Sequence, residues 1–418
     1  MPARLFSALS RWGLEQLHRR LGSVPLRVSL NGVEKQFSDA PPVAKLEISG
    51  LGKLLALARA PELTFGDGYS DGSIRLEGDL LAALEAVYHS LQRRRRGWRT
   101  TLEDALLRMT QRNTEDGSRR NIHHHYDLRT DFYQLWLDRE LLYTCAYFPT
   151  PETGLEDAQT AKMDHVARKL KLRPGEKVVE AGSGWGSLAL HMARNYGVKV
   201  RAYNVSHEQI AYAQRRARLL GLSERVEFVE DDYRNIEAGY DVFVSVGMLE
   251  HVGLANYDEF GRVIRRAVGE VGRGLLHFIG RNRPAPLSVW IRKRIFPGAY
   301  PPTLKEMMDI LEPANYAVLD VENLRLHYAK TLEHWLERFE RNRERVESMF
   351  DEKFARAWRL YLTGSLAAFR VGTLQLFQVV FAGPECNAIP WTRAHVYDAA
   401  SVATQPQEAL IEQWTAAT

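Results

Sequence analysis

The stretch Lys177-Val-Val-Glu-Ala-Gly-Ser-Gly-Trp-Gly186 constrains this chain more than any other. A short β-branched run entering closely spaced glycines predicts a strand, a tight turn and a helix. Glycines there let the backbone turn sharply and let a ligand lie against it. Ser187–Tyr196 carries helical spacing and Gly197 ends it. A dinucleotide site would want G-x-G-x-x-G, pyrophosphate on the helix N-terminus and an acid about 20 residues on for the ribose. Here the third glycine comes early, Glu180 directly precedes the loop, and Asn204 stands at the distant acid position. A carboxylate at the strand end repels pyrophosphate but holds an ammonium group. The loop therefore favours S-adenosylmethionine, which carries ammonium and sulfonium charges and no phosphate. A plain glycine-rich turn is the bland alternative.

Strand and helix patterns alternate after the loop, with strands at 198–204, 226–229, 241–245 and 274–279. Such alternation predicts a parallel, doubly wound sheet. Two more strands follow at Tyr316–Leu326 and Thr373–Phe381, separated by helices at 331–349 and 351–370. The last strand alternates partly and suits a sheet edge. Ligands of these sheets sit outside the carboxyl ends of the strands. Glu180, Asn204, Asp232, Glu250 and His277 stand at those ends, where packing gives a polar residue no reason to be. Pro284–Leu311 reads as an insertion over the strand tips, and its Trp290–Phe296 segment has apolar and basic faces.

Residues 24–90 read as a small α+β domain. Its strands are Pro25–Leu30, Ala44–Ile48 and Ser73–Gly78, its helices 50–60 and 79–92, and Gly66-Asp-Gly68 marks a turn. With no catalytic constellation, it should carry or position something. The expected division is a front domain at 1–95, a polar linker at 96–120, a main domain at 121–395 and a tail at 396–418. Residues 4–21 form a basic amphipathic helix with Leu5, Leu9, Trp12, Gln16 and Arg20 on one line. It packs on its own domain or touches a membrane surface. Arg93–Arg99 suits a phospholipid headgroup, a nucleic acid or a solvated helix end. His123-His124-His125 is no metal site, because three consecutive side chains point apart on any regular element.

A chain of 418 residues holds more than one domain, and a net charge of +4 argues for no particular partner. Only 2 cysteines exclude a disulfide framework and point to a reducing compartment. No segment of about 18 uncharged apolar residues exists to span a bilayer. Nor does the N-terminus have an apolar stretch of signal-peptide length. A cytoplasmic protein is expected.

A set of motifs then occurs in order: Tyr143-Thr-Cys-Ala-Tyr-Phe148, Glu180–Gly186, Asp232-Tyr-Arg234, Val246–Gly253, Leu276-His-Phe-Ile-Gly280 and His327-Tyr-Ala-Lys-Thr-Leu332. Over residues 121–383 the set closely resembles bacterial cyclopropane-fatty-acyl-phospholipid synthases and the related mycolic-acid cyclopropane synthases. The front domain is similar to a small lipid-carrier domain of the longer members. The resemblance implies a seven-stranded, Rossmann-like methyltransferase sheet with a helical insertion. It implies methyl transfer from S-adenosylmethionine to a cis double bond of a phospholipid acyl chain, then loss of a methyl proton to close a three-membered ring. Matching positions for a bicarbonate ion that takes the proton are Cys145, Glu250, His277, the amide of Ile279, and Tyr328. For the cofactor they are Tyr143, Thr144, Glu180, Gly182, Gly184, Asn204, Val205, Gln209, Asp232 and Tyr233. Tyr143, Tyr147, Trp185 and Tyr328 could stabilise sulfonium and carbocation through their faces. Glu180, Ser183 and Asn204 depart from the aspartate, cysteine and threonine usual there, while keeping the hydrogen bonding.

The implied partners are unsaturated phospholipid acyl chains, reached by peripheral contact with the inner face of a membrane, and a homodimer is compatible. Trp290–Phe296 is the first choice for the docking face, ahead of residues 4–21 and Arg93–Arg99. Nucleic acid is not expected, since Arg93–Arg96 lies far in sequence from the loop. Two alternatives stay open: the same cation yielding a methylene- or methyl-branched chain, and a non-catalytic lipid carrier.

Overall fold

The computed structural model describes residues 2–93 and 129–397. Arg94–Arg99, His123–His125 and the expected linker fall outside the described residues, as does the tail beyond 397. Two sheets organise what is described.

The front unit runs α1 (Pro2–Leu21), β1 (Leu26–Leu30), β2 (Val33–Gln36), β3 (Ala44–Ile48), α2 (Leu51–Arg59), α3 (Pro61–Ser70), β4 (Ile74–Gly78) and α4 (Leu80–Arg93). Its sheet has the order β2-β1-β3-β4. Alternate residues Ala44, Leu46 and Ile48 point inward with Val28 and Leu30, against Leu14 and Leu17 of α1 and Leu54 and Leu57 of α2. The Gly66-Asp-Gly68 turn is corrected: both glycines lie in α3, begun by Pro61 at its first position. Gly66 serves packing instead, since a Cβ there would come within 2.3 Å of the Trp290 indole.

In the second unit, α5 (Thr130–Gln134) and α6 (Leu155–Lys169) precede a seven-stranded sheet. Its strands are β5 (Lys177–Ala181), β6 (Lys199–Asn204), β7 (Val226–Glu230), β8 (Val242–Val246), β9 (Arg273–Gly280), β10 (Ala317–Asn323) and β11 (Gln375–Ala382). Between them run α7 (Ser187–Tyr196), α8 (His207–Leu219), α9 (Leu249–Val252), α10 (Tyr257–Val268), α11 (Val289–Arg294) and α12 (Leu304–Leu311). The helices α13 (Arg325–Arg341), α14 (Arg343–Met349) and α15 (Glu352–Val371) separate the last two strands, and α16 (Ala394–Tyr397) follows. The order is β10-β11-β9-β8-β5-β6-β7. The chain steps outward from β5 to β7 and returns to β8 on the other side of β5. That reversal makes the switch point at which such sheets bind ligands.

Three expectations change. β11 is no edge: it pairs antiparallel with β9 and β10, and all its residues are buried. The strand expected to reach Leu326 stops at Asn323, whose side-chain oxygen accepts the Arg325 amide at 3.0 Å and starts α13. Tyr328 is thus helical. The Trp290–Phe296 segment is not an open docking face either. Trp290 and Ile295 are buried, Arg294 forks onto Asp67 at 3.0 and 2.8 Å, and the Val289 amide donates to Glu62 at 2.7 Å. It joins the two units.

Candidate active site

Local turn chemistry builds the first chamber. After β5 the backbone takes positive φ at Gly182, Gly184 and Gly186, a region costly for any other residue. At Gly186 a Cβ would also lie 2.5 Å from Phe228, whereas at Gly184 it would meet no protein atom. The loop is therefore pinned at its end and open at its middle. All ten residues expected to hold the cofactor line the adjoining cavity of about 160 Å³.

Electrostatics there favour a cation. Glu180 is buried, its Oε2 has no partner, and burial pushes its pKa up to about 8 against the pull of Lys162. An unpaired buried carboxylate is costly, and an ammonium group would relieve it. The Asn204 amide donates to Gln209 at 2.7 Å and to the Gly184 carbonyl at 3.3 Å, fixing the rim. Asp232 lines the chamber with both carboxylate oxygens 3.0 Å from one Arg234 nitrogen. These groups fit S-adenosylmethionine.

A second, larger cavity of about 1550 Å³ begins beside the first; Tyr143, Thr144, Gly247 and His251 line both. The segment through Cys145 is held in place by side chains from two helices. Gln159 of α6 donates to the carbonyls of Leu142 and Thr144 at 3.1 and 3.0 Å, and Thr331 of α13 accepts the Ala146 amide at 3.0 Å. Cys145, Glu250, His277, Ile279 and Tyr328, from four separate parts of the chain, all line this cavity.

Their states differ in a useful way. Burial pushes the Glu250 pKa up to about 7; its Oε1 accepts the Ile279 amide while Oε2 has no partner. The Ile279 amide is thus already engaged. His277 is held well below its usual pKa by burial and stays neutral. Gln378 Nε2 lies 3.1 Å from His277 Nδ1, so with the amide donating, Nε2 keeps the proton; that nitrogen has no partner. The Cys145 thiol is pushed up by burial and donates to the Ala146 carbonyl at 3.1 Å. The Tyr328 ring packs on Phe369 at 4.5 Å and Trp335 at 5.9 Å. Within this set, His277 Nε2 and Glu250 Oε2 are left without a partner in a largely apolar chamber.

Two of the four aromatic expectations shift. Tyr147 stacks between His165 and His327, at 4.0 and 4.9 Å, and lines neither cavity. Trp185 lines the cofactor chamber alone.

The model of the family described as mycolic acid cyclopropane synthetase matches residues 113–379. The chain belongs to this family. A probable fatty acid methyltransferase of Pseudomonas putida is 34% identical over 92% of the chain and 98% of its own length. The cyclopropane-fatty-acyl-phospholipid synthase of Escherichia coli K12 is 39% identical over 62% of the chain and 66% of its own. Among solved structures, the mycolic acid cyclopropane synthase CmaA1 complexed with SAH and CTAB superposes with a TM-score of 0.59. It is 30% identical, over 63% of this chain and 97% of that one. This family member is an S-adenosylmethionine-dependent methyltransferase.

Sequence reasoning missed Lys162, Gln378 and His251. Lys162 is 1% exposed and donates to Thr144 Oγ1 at 2.9 Å. Its signal was present, a lysine interrupting the apolar line Ala158, Val166, Leu170. Gln378 broke an apolar strand in the same way. His251 sits where the two cavities meet, and burial lowers its pKa to about 4. Among the described residues no cluster could hold a metal ion.

Proposed function

We propose that this protein adds a methylene from S-adenosylmethionine across a cis double bond of a phospholipid acyl chain, forming a cyclopropane fatty acid. The observation that carries this reading is the pair of unpartnered atoms, His277 Nε2 and Glu250 Oε2, in the wall of a long apolar cavity abutting the cation-favouring chamber.

When bound, S-adenosylmethionine supplies an electrophilic methyl group. Glu180 would hold its ammonium end, and Asn204 and Gln209 would face its nucleoside. Tyr143 and Thr144 line both chambers and would stand where donor and double bond meet. The methyl carbon would bond to one alkene carbon as its bond to sulfur breaks, the pair leaving with the neutral thioether and positive charge developing on the other alkene carbon. Ring closure breaks a C–H bond of that methyl, and its electron pair forms the last C–C bond. The proton then needs a positioned base and no water, which would quench the cation to an alcohol. His277 Nε2–H, the Tyr328 hydroxyl and protonated Glu250 form a donor set that fits a bicarbonate ion, which would supply that base. The Cys145 thiol, kept protonated by burial, shapes the site and is no nucleophile.

Partners follow the same reading: unsaturated phospholipid at a membrane surface. No helix among the described residues is long and apolar enough to cross a membrane. A methyl-branched product is the second reading, favoured by the Pseudomonas putida relative that spans nearly the whole chain. The test is Glu250→Ala beside Cys145→Ser. The first should cut turnover about 100-fold or more with near-parental cofactor affinity, the second much less. Glu250→Ala activity within twofold of the parent would contradict the base-holding set.

A further inference from the structure

The larger cavity does not stop at the second unit. It continues past Trp290 and Ile291 into the apolar interior of the front unit, where Leu17, Leu26, Leu46, Leu57, Phe65 and Leu84 line it. Its 1550 Å³ exceeds the roughly 1,000 Å³ upper end of ordinary small-molecule pockets. Exposed residues among the lining mark where it reaches the surface. One opening lies at the C-terminal ends of α1 and α4, rimmed by Arg20, Leu91, Gln92 and Arg93. Another lies at Glu62, Asn282 and Arg283.

Beside the basic opening, α1 leaves an apolar stripe uncovered among the described residues. Leu14 and Leu17 turn into the core, while Leu9 and Trp12 remain 42% and 56% exposed. At helical spacing these continue through Gln16 to Arg20 at the rim. Leu55, on the helix against which α1 packs, is 51% exposed, and Leu91 at the rim is 48% exposed. Arg11, Arg19 and Arg20 on the same helix are exposed, and its one acid, Glu15, is ion-paired with Lys35 at 2.5 Å. An indole and leucines flanked by arginines is the arrangement that seats a helix in the headgroup layer of an anionic bilayer.

We propose that the α1 face of the front unit docks on an anionic phospholipid bilayer, and that an acyl chain enters by the opening at Arg20, Leu91 and Arg93 to reach Glu250 and His277 through the front unit. This rests on the lipid-methylating reading above and gives the front unit its task. Leu9 and Trp12 lie outside the cavity lining, so they can be altered without touching the chemistry.

The experiment uses the full chain and its Leu9→Gln, Trp12→Gln double variant. Vesicles of unsaturated phosphatidylglycerol are sedimented with each protein. Methyl transfer from labelled S-adenosylmethionine is measured on those vesicles and on the same lipid in detergent. The variant should lose about tenfold or more in vesicle binding and vesicle methylation. It should keep its melting temperature, and its detergent activity within twofold. Vesicle binding equal to the parent's overturns the proposal. So does a parental dimer that the substitutions dissociate, which would make the stripe a contact between copies. A parent that methylates neither form, yet still loses vesicle binding on substitution, leaves the docking face standing and sinks the enzymatic reading. Should the double variant melt early, Arg11→Gln with Arg19→Gln reads the same face. Salt-sensitive vesicle binding must then fall, and unchanged binding overturns the proposal.

Discussion

Gln378 and His277 face each other across the β11–β9 ladder, with Gln378 Nε2 3.1 Å from His277 Nδ1. The register of an antiparallel pair thus fixes which imidazole nitrogen meets the substrate chamber. Gln378→Leu removes that partner and should cost about 1–3 kcal/mol of stability. Gln378→Glu preserves shape, and at a pH where that carboxyl is ionised it presents only acceptors, so the proton should move to Nδ1 and leave Nε2 bare. Activity should collapse in that variant while the fold persists. Nitrogen chemical shifts of His277 check the tautomer; an unchanged tautomer with unchanged activity would refute the assignment.

Glu180 makes cofactor binding a protonic event. Its carboxyl, pushed up to about 8, is protonated at pH 6.5 in the free protein and ionised once it faces an ammonium group. Binding at pH 6.5 should release about one proton, and affinity should rise with pH toward 8. Calorimetry in buffers of different ionisation enthalpy measures the release. Glu180→Gln should abolish it and weaken binding roughly 10- to 100-fold, the worth of a charged hydrogen bond.

Glu250 carries a stability cost with a defined pH window. Its carboxyl titrates near 7 in the folded protein and near 4.5 when unfolded. Below pH 4.5 both states hold the proton and the residue is neutral to stability. From 4.5 to 7 the unfolded chain ionises first, so stability falls, and above 7 the loss levels off. At 1.36 kcal/mol per pKa unit, Glu250→Gln should gain on the order of 3 kcal/mol over the parent at pH 8 and nothing at pH 4. Denaturant melts at the two pH values compare them; an equal gain at both would place the effect elsewhere.

The joint between the units depends on a missing side chain. A Cβ at Gly66 would fall 2.3 Å from Trp290. Gly66→Val should displace the indole, lower the melting temperature and reduce activity on long acyl chains more than cofactor affinity. Equal losses in both would mean the second unit itself is damaged.

The cofactor chamber was legible because its determinants are local. Turn glycines, the acid before them and polar residues at strand ends announce themselves within a few positions, and every one expected there lines the cavity. The large cavity was legible only at its motif-bearing end. The partial alternation of the last strand suits an edge, and only the pairing with β9 reveals that the polar group of Gln378 meets His277. Tyr147 fell out because His165 and His327, distant in sequence, sandwich it. Trp290 looked like a surface anchor because nothing in its neighbourhood reveals the glycine on α3 that receives it. Such partners are set by long-range packing, where a single segment carries no information.

The most direct test is the fate of the donor methyl. The protein is incubated with S-adenosylmethionine deuterated at that methyl and vesicles of a mono-unsaturated phospholipid, and the acyl products are read by mass spectrometry and proton NMR. A cyclopropane ring whose new carbon has lost one deuteron is the expected result, since ring closure must release a proton from that methyl. A methyl branch retaining every deuteron, or label found only outside the acyl chain, would contradict it.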